Sequence, residues 1–266
     1  GVHSRAMFWR RSTSSPSSPK RSRKSSSRRT GPRFAKPLKG ARIKRWVSEA
    51  LPVAERKMGV QVDRYLGGGS YGQAFLSTDG KTVLKLTVDK SEQASVTLLN
   101  RLRKEGRKLP GLIHFQADPL RLGKALDGSF GTYTAWSITK DPVRELSDSE
   151  LDRFTLVDRR DLPLFECQKP TPGVKGRTID TVWHHATEAG FAYNKARSQH
   201  MRDALTREYL CWLELARRAK STRHIADTLI ALAKEGYLIV DALPHNFGRT
   251  PSGELVCFDF GVVPFE

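Results

Sequence analysis

The sequence predicts an α+β protein in two lobes, a β-rich part with one helix followed by a mostly helical part that ends in short hairpins. Three observations carry this. Strand-like patterning runs through residues 60–86 around a glycine-rich stretch. Helical spacing of apolar residues dominates residues 179–234. Short strand-like runs then return at 238–240, 247–249 and 255–258, the last after the turn Pro251-Ser252-Gly253. Strands first and helices second is the order of an α+β fold.

The elements follow in order. Residues 43–58 read as a helix interrupted near Pro52. Val60, Val62 and Tyr65 lead a first strand into Gly67-Gly68-Gly69-Ser70-Tyr71-Gly72, and Ala74, Phe75 and Leu76 form the next. Asp79-Gly80 signals a tight turn, with Thr82-Val-Leu-Lys-Leu86 returning. Ser91 caps a helix to about Arg103, with Ala94, Leu98, Leu99 and Leu102 on one face. Residues 112–115 and 133–139 read as two further strands, and 147–176 as mixed loop marked by Pro163, Pro170 and Pro172. Helical patterns cover 179–198 and 202–220. A last helix carries Ile225, Leu229 and Leu232 and stops at Gly236.

The chain has 266 residues, 38% hydrophobic and 28% charged, enough to bury a core. No stretch reaches the roughly 18 apolar residues of a membrane span, so no membrane partner is expected. Ala6 to Trp9 is too short an apolar patch for a signal peptide. Cys167, Cys211 and Cys257 are odd in number and far apart, so neither a disulfide framework nor a zinc site is expected. The resulting expectation is a reduced, intracellular, cytoplasmic protein.

Charge is concentrated at one end. Formal net charge is +18, yet residues 1–48 hold 15 Lys and Arg with no acid, leaving only +3 for the rest. Nine of the sixteen residues 12–27 are serine. Such a segment buries too little apolar surface to offset ordering entropy, so residues 1–48 are expected to be a disordered basic tail. It suits contact with a polyanion such as nucleic acid, localisation, or phosphorylation; a merely solubilising leader is the plain alternative.

Three constellations carry chemistry. Gly67-x-Gly69-x-x-Gly72 lies between two strands, where glycines let backbone N–H groups approach phosphates. A dinucleotide-binding loop would open a helix instead, which excludes that reading. Lys85 sits on the returning strand under this loop, and Glu92 in the first turn of the next helix is its expected partner, with Glu105 as the alternative. Last, Asp241-Ala-Leu-Pro-His245-Asn246 is followed thirteen residues on by Asp259-Phe260-Gly261. Two carboxylates and an amide at this spacing offer oxygen ligands to a hard cation such as Mg²⁺.

These segments resemble the protein-kinase-like phosphotransferase superfamily, which includes protein kinases and small-molecule kinases of the aminoglycoside and choline type. Leu66-Gly-Gly-Gly-Ser-Tyr-Gly-Gln-Ala-Phe75 is similar to its nucleotide-covering loop, Val83-Leu-Lys-Leu86 to its lysine strand, Asp241-x-x-Pro-x-Asn246 to its catalytic loop and Asp259-Phe-Gly261 to its metal motif. The resemblance covers residues 60–140 and 221–261. It implies a bilobal kinase-like fold, with a tail at 1–48, an N-lobe at 49–142 and a reduced C-lobe at 143–266. It implies ATP and Mg²⁺ as cofactors and a hydroxyl acceptor, protein Ser/Thr favoured. Asp241 would orient or deprotonate the acceptor, Lys85 would hold the α/β-phosphates, and Asn246 and Asp259 would hold Mg²⁺. Gly67, Gly68, Gly69, Ser70, Tyr71 and Gly72 would cover the nucleotide, Ala74 would roof adenine, Glu92 would pair with Lys85, and Thr139 with Asp141 would belong to the hinge.

The pattern also departs from protein kinases. Ile239 and Val240 replace His-Arg before the catalytic Asp, and Leu243 replaces a lysine, as in small-molecule kinases; His245 is a partial substitute. Five residues follow Gly261, so an acceptor platform is expected from the helices of 179–220. Two alternatives come from other classes: a nucleotide-gated pseudokinase scaffold, and a nucleic-acid binder that uses the tail.

Overall fold

The computed structural model describes residues 40–69, 72–87, 89–120, 135–155, 167 and 179–264. The expected α+β architecture is found. Strands β1 (Val62–Gly68), β2 (Gly72–Ser77), β3 (Val83–Thr87), β4 (Phe115–Leu120) and β5 (Ala135–Lys140) form one antiparallel sheet in the order β1-β2-β3-β5-β4. β4 is an edge strand, which is where its Pro119 is tolerated in a ladder.

Helix α1 (Ala41–Met58) lies against this sheet and runs through Pro52 without a break. The expected interruption is absent because Trp46, Val47, Ala50, Leu51 and Ala54 bury against Tyr65, Phe75, Leu84 and Leu86 on both sides of the proline. Pro52 itself faces solvent, where water can satisfy the carbonyl it frees. Each large side chain buried this way contributes about 1.5–3 kcal/mol. The same burial corrects the tail boundary: the helix starts at Ala41, inside the segment expected to be disordered, and residues 1–39 lie outside the described residues.

Helix α2 (Lys90–Lys104) follows β3 and belongs to a second, larger core with the rest of the chain. That part contains β6 (Arg144–Glu145), α3 (Asp148–Thr155), α4 (Ile179–Lys195), α5 (Gln199–Ala216), α6 (Arg223–Lys234), β7 (Leu238–Val240), a single 3-10 turn at Pro244–Asn246, β8 (Phe247–Arg249), β9 (Leu255–Cys257) and β10 (Gly261–Val263). β7 pairs antiparallel with β10, while β6, β8 and β9 form a separate small sheet. The element α3 falls where mixed loop was expected, and Glu150 on it holds Arg144 in a two-pronged ion pair. The strand expected at 112–115 starts only at Phe115, as β4; ahead of it Leu112 makes a parallel bridge to Cys257, with Ile113 N–H donating to Cys257 O at 3.1 Å.

The cysteine expectation is overturned. Cys167 and Cys211 form a disulfide with Cα atoms 5.4 Å apart, and Cys257 is a buried free thiol. Sequence separation of 44 hid the pairing; folding brings residue 167 to the side of α5. The reduced-compartment reading loses its basis accordingly. Among the described residues no helix is long and apolar enough to cross a membrane.

Candidate active site

Lys85 stands in the middle of β3, opposite Ala74 of β2, with nine-tenths of its surface buried. A buried ammonium needs partners, and it has two: Glu92 Oε1 of α2 at 2.8 Å and Asp259 Oδ1 at 3.1 Å. Burial pushes its pKa down, but the carboxylates of Asp259 and Glu92 outweigh burial and hold it above the ordinary lysine value. Glu105 plays no part; it lies exposed, 4.0 Å from Arg101. Helix α2 is steadied at its other end by Arg103, whose guanidinium donates to Leu112 O at 3.1 Å and Ile113 O at 2.9 Å. Those residues pair with β9, which leads into Asp259. One short chain of contacts thus links Glu92, Lys85 and Asp259.

Gly72 makes this arrangement possible. A Cβ there would sit 2.9 Å from Leu86 O and 3.1 Å from Lys85 Cε. Of the glycine stretch, Gly67 adopts φ +152°, rarely open to other residues, and Gly69 N–H donates to Gly72 O at 3.0 Å. Gly68 packs on Gln73, a buried side chain that accepts from Tyr65 Oη at 2.8 Å and donates to Gly69 O at 3.1 Å. Ser70 and Tyr71 lie outside the described residues. Thr139 is in β5 opposite Leu84 and Gln116, and Asp141 is exposed just beyond that strand.

Asp241 follows β7 with φ +60°, a left-handed conformation that aspartate tolerates better than most residues. Its carbonyl receives the Leu243 N–H and the Asn246 side-chain amide, both at 2.8 Å. Phe258 N–H donates to Asn246 O at 2.9 Å, bringing the Asp259 segment alongside. Burial, then the carboxylates of Asp259, Asp89 and Glu188, push the Asp241 carboxyl up to about 6, with Lys85 opposing.

The residues present fit a magnesium ion. Asn246 is 3% exposed and its Oδ1 has no hydrogen-bond partner among the described residues, although its amide N–H is used. A buried acceptor left open in this way is costly unless something binds it. Asp259, the residue after the Phe258 that bonds Asn246 O, keeps its carboxylate partly accessible. Among the described residues no group of three or more His, Cys, Asp or Glu is placed to hold a metal alone. Magnesium does not require one, since it keeps waters and substrate phosphate oxygens as ligands.

Several contributors escaped sequence reasoning. Tyr209 of α5 is fully buried, and its hydroxyl bonds both backbone groups of Ile239. Gly190 of α4 lets Val240 approach; a Cβ there would be 2.6 Å from Val240 Cγ1. Gln73, Asp89 and Glu188 carry no motif. Their only signal is a polar residue placed within a buried strand or near a motif. The adjacent His184 and His185 point to different faces of α4, His184 to solvent near Glu188 and His185 stacked on Trp212 at 4.5 Å.

No protein-family model and no curated protein matches the chain. Among solved structures it is similar to an aminoglycoside phosphotransferase from Streptomyces rimosus, at 15% identity and TM-score 0.31, covering 80% of this chain and 77% of that one. It is also similar to a spectinomycin phosphotransferase in complex with ADP and spectinomycin, at 12% identity and TM-score 0.30, covering 80% and 70%.

Proposed function

We propose that the chain is an ATP- and Mg²⁺-dependent phosphotransferase that moves a γ-phosphate to a hydroxyl acceptor. The observation that carries this is the single site formed by Lys85, Glu92, Asp241, Asn246 and Asp259, drawn from β3, α2, the turn after β7 and the segment after β9. Nucleotide would lie between a lobe that begins with α1 at Ala41 and runs to residue 142 and one of 143–266, under the end of β1 and start of β2 and against the strand end at Thr139 and Asp141.

Each side chain then has a physical task. Lys85, kept charged by two carboxylates, offers a fixed cation to the α/β-phosphates. Glu92 prevents it from collapsing elsewhere. Asn246 Oδ1 and the Asp259 carboxylate would hold Mg²⁺, which supplies charge neutralisation on the phosphates. Asp241, with a pKa of about 6, is mostly ionised at neutral pH and basic enough to accept a hydroxyl proton. Asp259, which raises the Asp241 pKa by repulsion, would do so less with its charge offset by a held cation, and Asp241 would then ionise more readily.

The acceptor we test first is protein Ser/Thr, including the chain's own serines in residues 12–27. A small-molecule hydroxyl is the second reading. It is favoured by Leu243, which is half-buried against the core where protein kinases place a lysine. The experiment is transfer from γ-labelled ATP with Mg²⁺, comparing wild type with Asp241→Asn. Label on protein in the wild type alone supports the first acceptor. Hydrolysis or transfer only with an added alcohol supports the second. No nucleotide turnover in any condition sinks the phosphotransferase reading.

A further inference from the structure

We infer that Tyr209 is a positioning residue for Asp241: from the far side of β7 its hydroxyl holds the backbone that presents the catalytic carboxylate. The functional half of this inference rests on the phosphotransferase reading above.

Among the described residues β7 has one strand neighbour, β10, across which Ile239 faces Val262. Both polar groups of Ile239 are taken by Tyr209 instead: the phenol donates to Ile239 O at 2.7 Å and accepts from Ile239 N–H at 3.0 Å. Backbone N–H and C=O of one residue point to the same side of an antiparallel strand, so Ile239 turns both away from β10. The hydroxyl therefore takes the place that a neighbouring strand's backbone would occupy on that side of β7. Tyr209 is 0% exposed and burial pushes its phenol above the ordinary range, so it stays neutral and serves as donor and acceptor together. Two residues on, the chain takes the left-handed turn at Asp241, which is stable only if what precedes it is held. Gly190 completes the seat, leaving room for Val240 and for the Tyr209 ring, whose Cε2 would lie 3.8 Å from a Cβ at 190.

Tyr209→Phe removes one oxygen and keeps the ring. Expected is a fall in kcat of about tenfold to a hundredfold with KM for ATP unchanged, since Lys85 and the glycine stretch are elsewhere. The control is Thr228→Val, which removes another buried hydroxyl bond, to Pro110 O, away from the site; it should lower Tm without lowering kcat. Independently of activity, the backbone amide of Ile239, which donates to the Tyr209 hydroxyl at 3.0 Å, should exchange with solvent at least about tenfold faster in Tyr209→Phe and at its wild-type rate in Thr228→Val. The inference is overturned if the variant loses Tm as Thr228→Val does while kcat and the Ile239 amide exchange rate stay at wild-type values. Should Tyr209→Phe fail to fold, Gly190→Ala presses on the same strand and must show the same split between kcat and KM. If wild type transfers no phosphate, the phosphotransferase reading fails, and the Ile239 amide exchange rate alone decides whether Tyr209 holds the strand before Asp241.

Discussion

The Lys85 ammonium lies 2.8 Å from the Glu92 carboxylate, a buried ion pair that ties the central strand of the sheet to the helix following it. Because Asp259 shares the same nitrogen, the pair also spans the two hydrophobic cores. Breaking one partner of such a pair costs about 3–5 kcal/mol when the other is left uncompensated. Lys85→Met strands two carboxylates and should be the more damaging change, losing nucleotide binding and much stability. Glu92→Gln leaves Asp259 in place and should mainly raise KM for ATP. Since the folded pKa of Lys85 is raised, the stability of this contact is fully present below the ordinary lysine value of 10.5 and is lost only at higher pH. A Tm unaffected by Lys85→Met between pH 6 and 9 would contradict this account.

Asp241 carries the opposite sign. Its folded pKa of about 6 lies above the ordinary 3.8, so folding penalises the ionised form. That penalty is complete above about pH 6 and absent below 3.8. Asp241→Asn should therefore raise Tm by a few degrees at pH 7.5 and leave it unchanged near pH 4, while reducing transfer by about 10²–10⁴-fold. In wild type, kcat/KM should fall on the acid side with a midpoint near 6. Thermal scans at the two pH values and a pH–rate profile check both halves.

The parts legible in the sequence are those where chemistry and local backbone coincide. The glycine stretch and Lys85 lie on successive antiparallel strands, the Asp241–Asn246–Asp259 spacing spans only one turn and the β8–β9 hairpin, and folding brings Lys85 and Asp259 together. The pairing of Glu92 over Glu105 was readable because the first turn of α2 abuts β3. The disulfide was not, since residues 167 and 211 meet only through the packing of α5. Tyr209 is equally silent: in a helical pattern it reads as one more apolar-face aromatic, and its partner is a backbone thirty residues away. The run of α1 through Pro52 escaped because apolar contacts on both flanks override a local breaker.

Gly72→Ala tests the fit between the glycine stretch and the lysine. The new methyl group meets Leu86 O at 2.9 Å and Lys85 Cε at 3.1 Å, and the backbone oxygen cannot yield as the lysine stem can. Lys85 should be displaced from its carboxylates, raising KM for ATP more than it lowers kcat. Gly106→Ala is the comparison: its Cβ would meet nothing within 4 Å, so it carries only the strain of φ +85°. Equal KM values in the two variants would show that Gly72 has no such role.

Nucleotide and metal should stabilise the fold together. A ligand at a hundred times its Kd adds about 2.7 kcal/mol, or several degrees of Tm in a chain of this size. Mg²⁺ with ADP is expected to raise Tm more than the sum of either alone in wild type. Asn246→Ala and Asp259→Asn should remove the magnesium-dependent part and retain a nucleotide-dependent part through Lys85. A shift that persists with magnesium in both variants would place the cation elsewhere.

The Cys167–Cys211 bridge closes a loop of 44 residues in sequence separation, which by chain entropy stabilises the folded state by about 4 kcal/mol. It anchors residue 167 to the helix that also carries Tyr209, so its loss acts on stability first and on the site through α5. Cys167→Ser, or wild type in excess dithiothreitol, should lower Tm by about 10 °C. Cys257, buried in β9, should stay unreactive to thiol reagents until the chain unfolds. Counting free thiols in native and denatured protein checks this directly: one appears on denaturation without reductant and three with it. Three free thiols in denatured protein never exposed to reductant would show that the bridge does not form, and the Tm difference should then vanish.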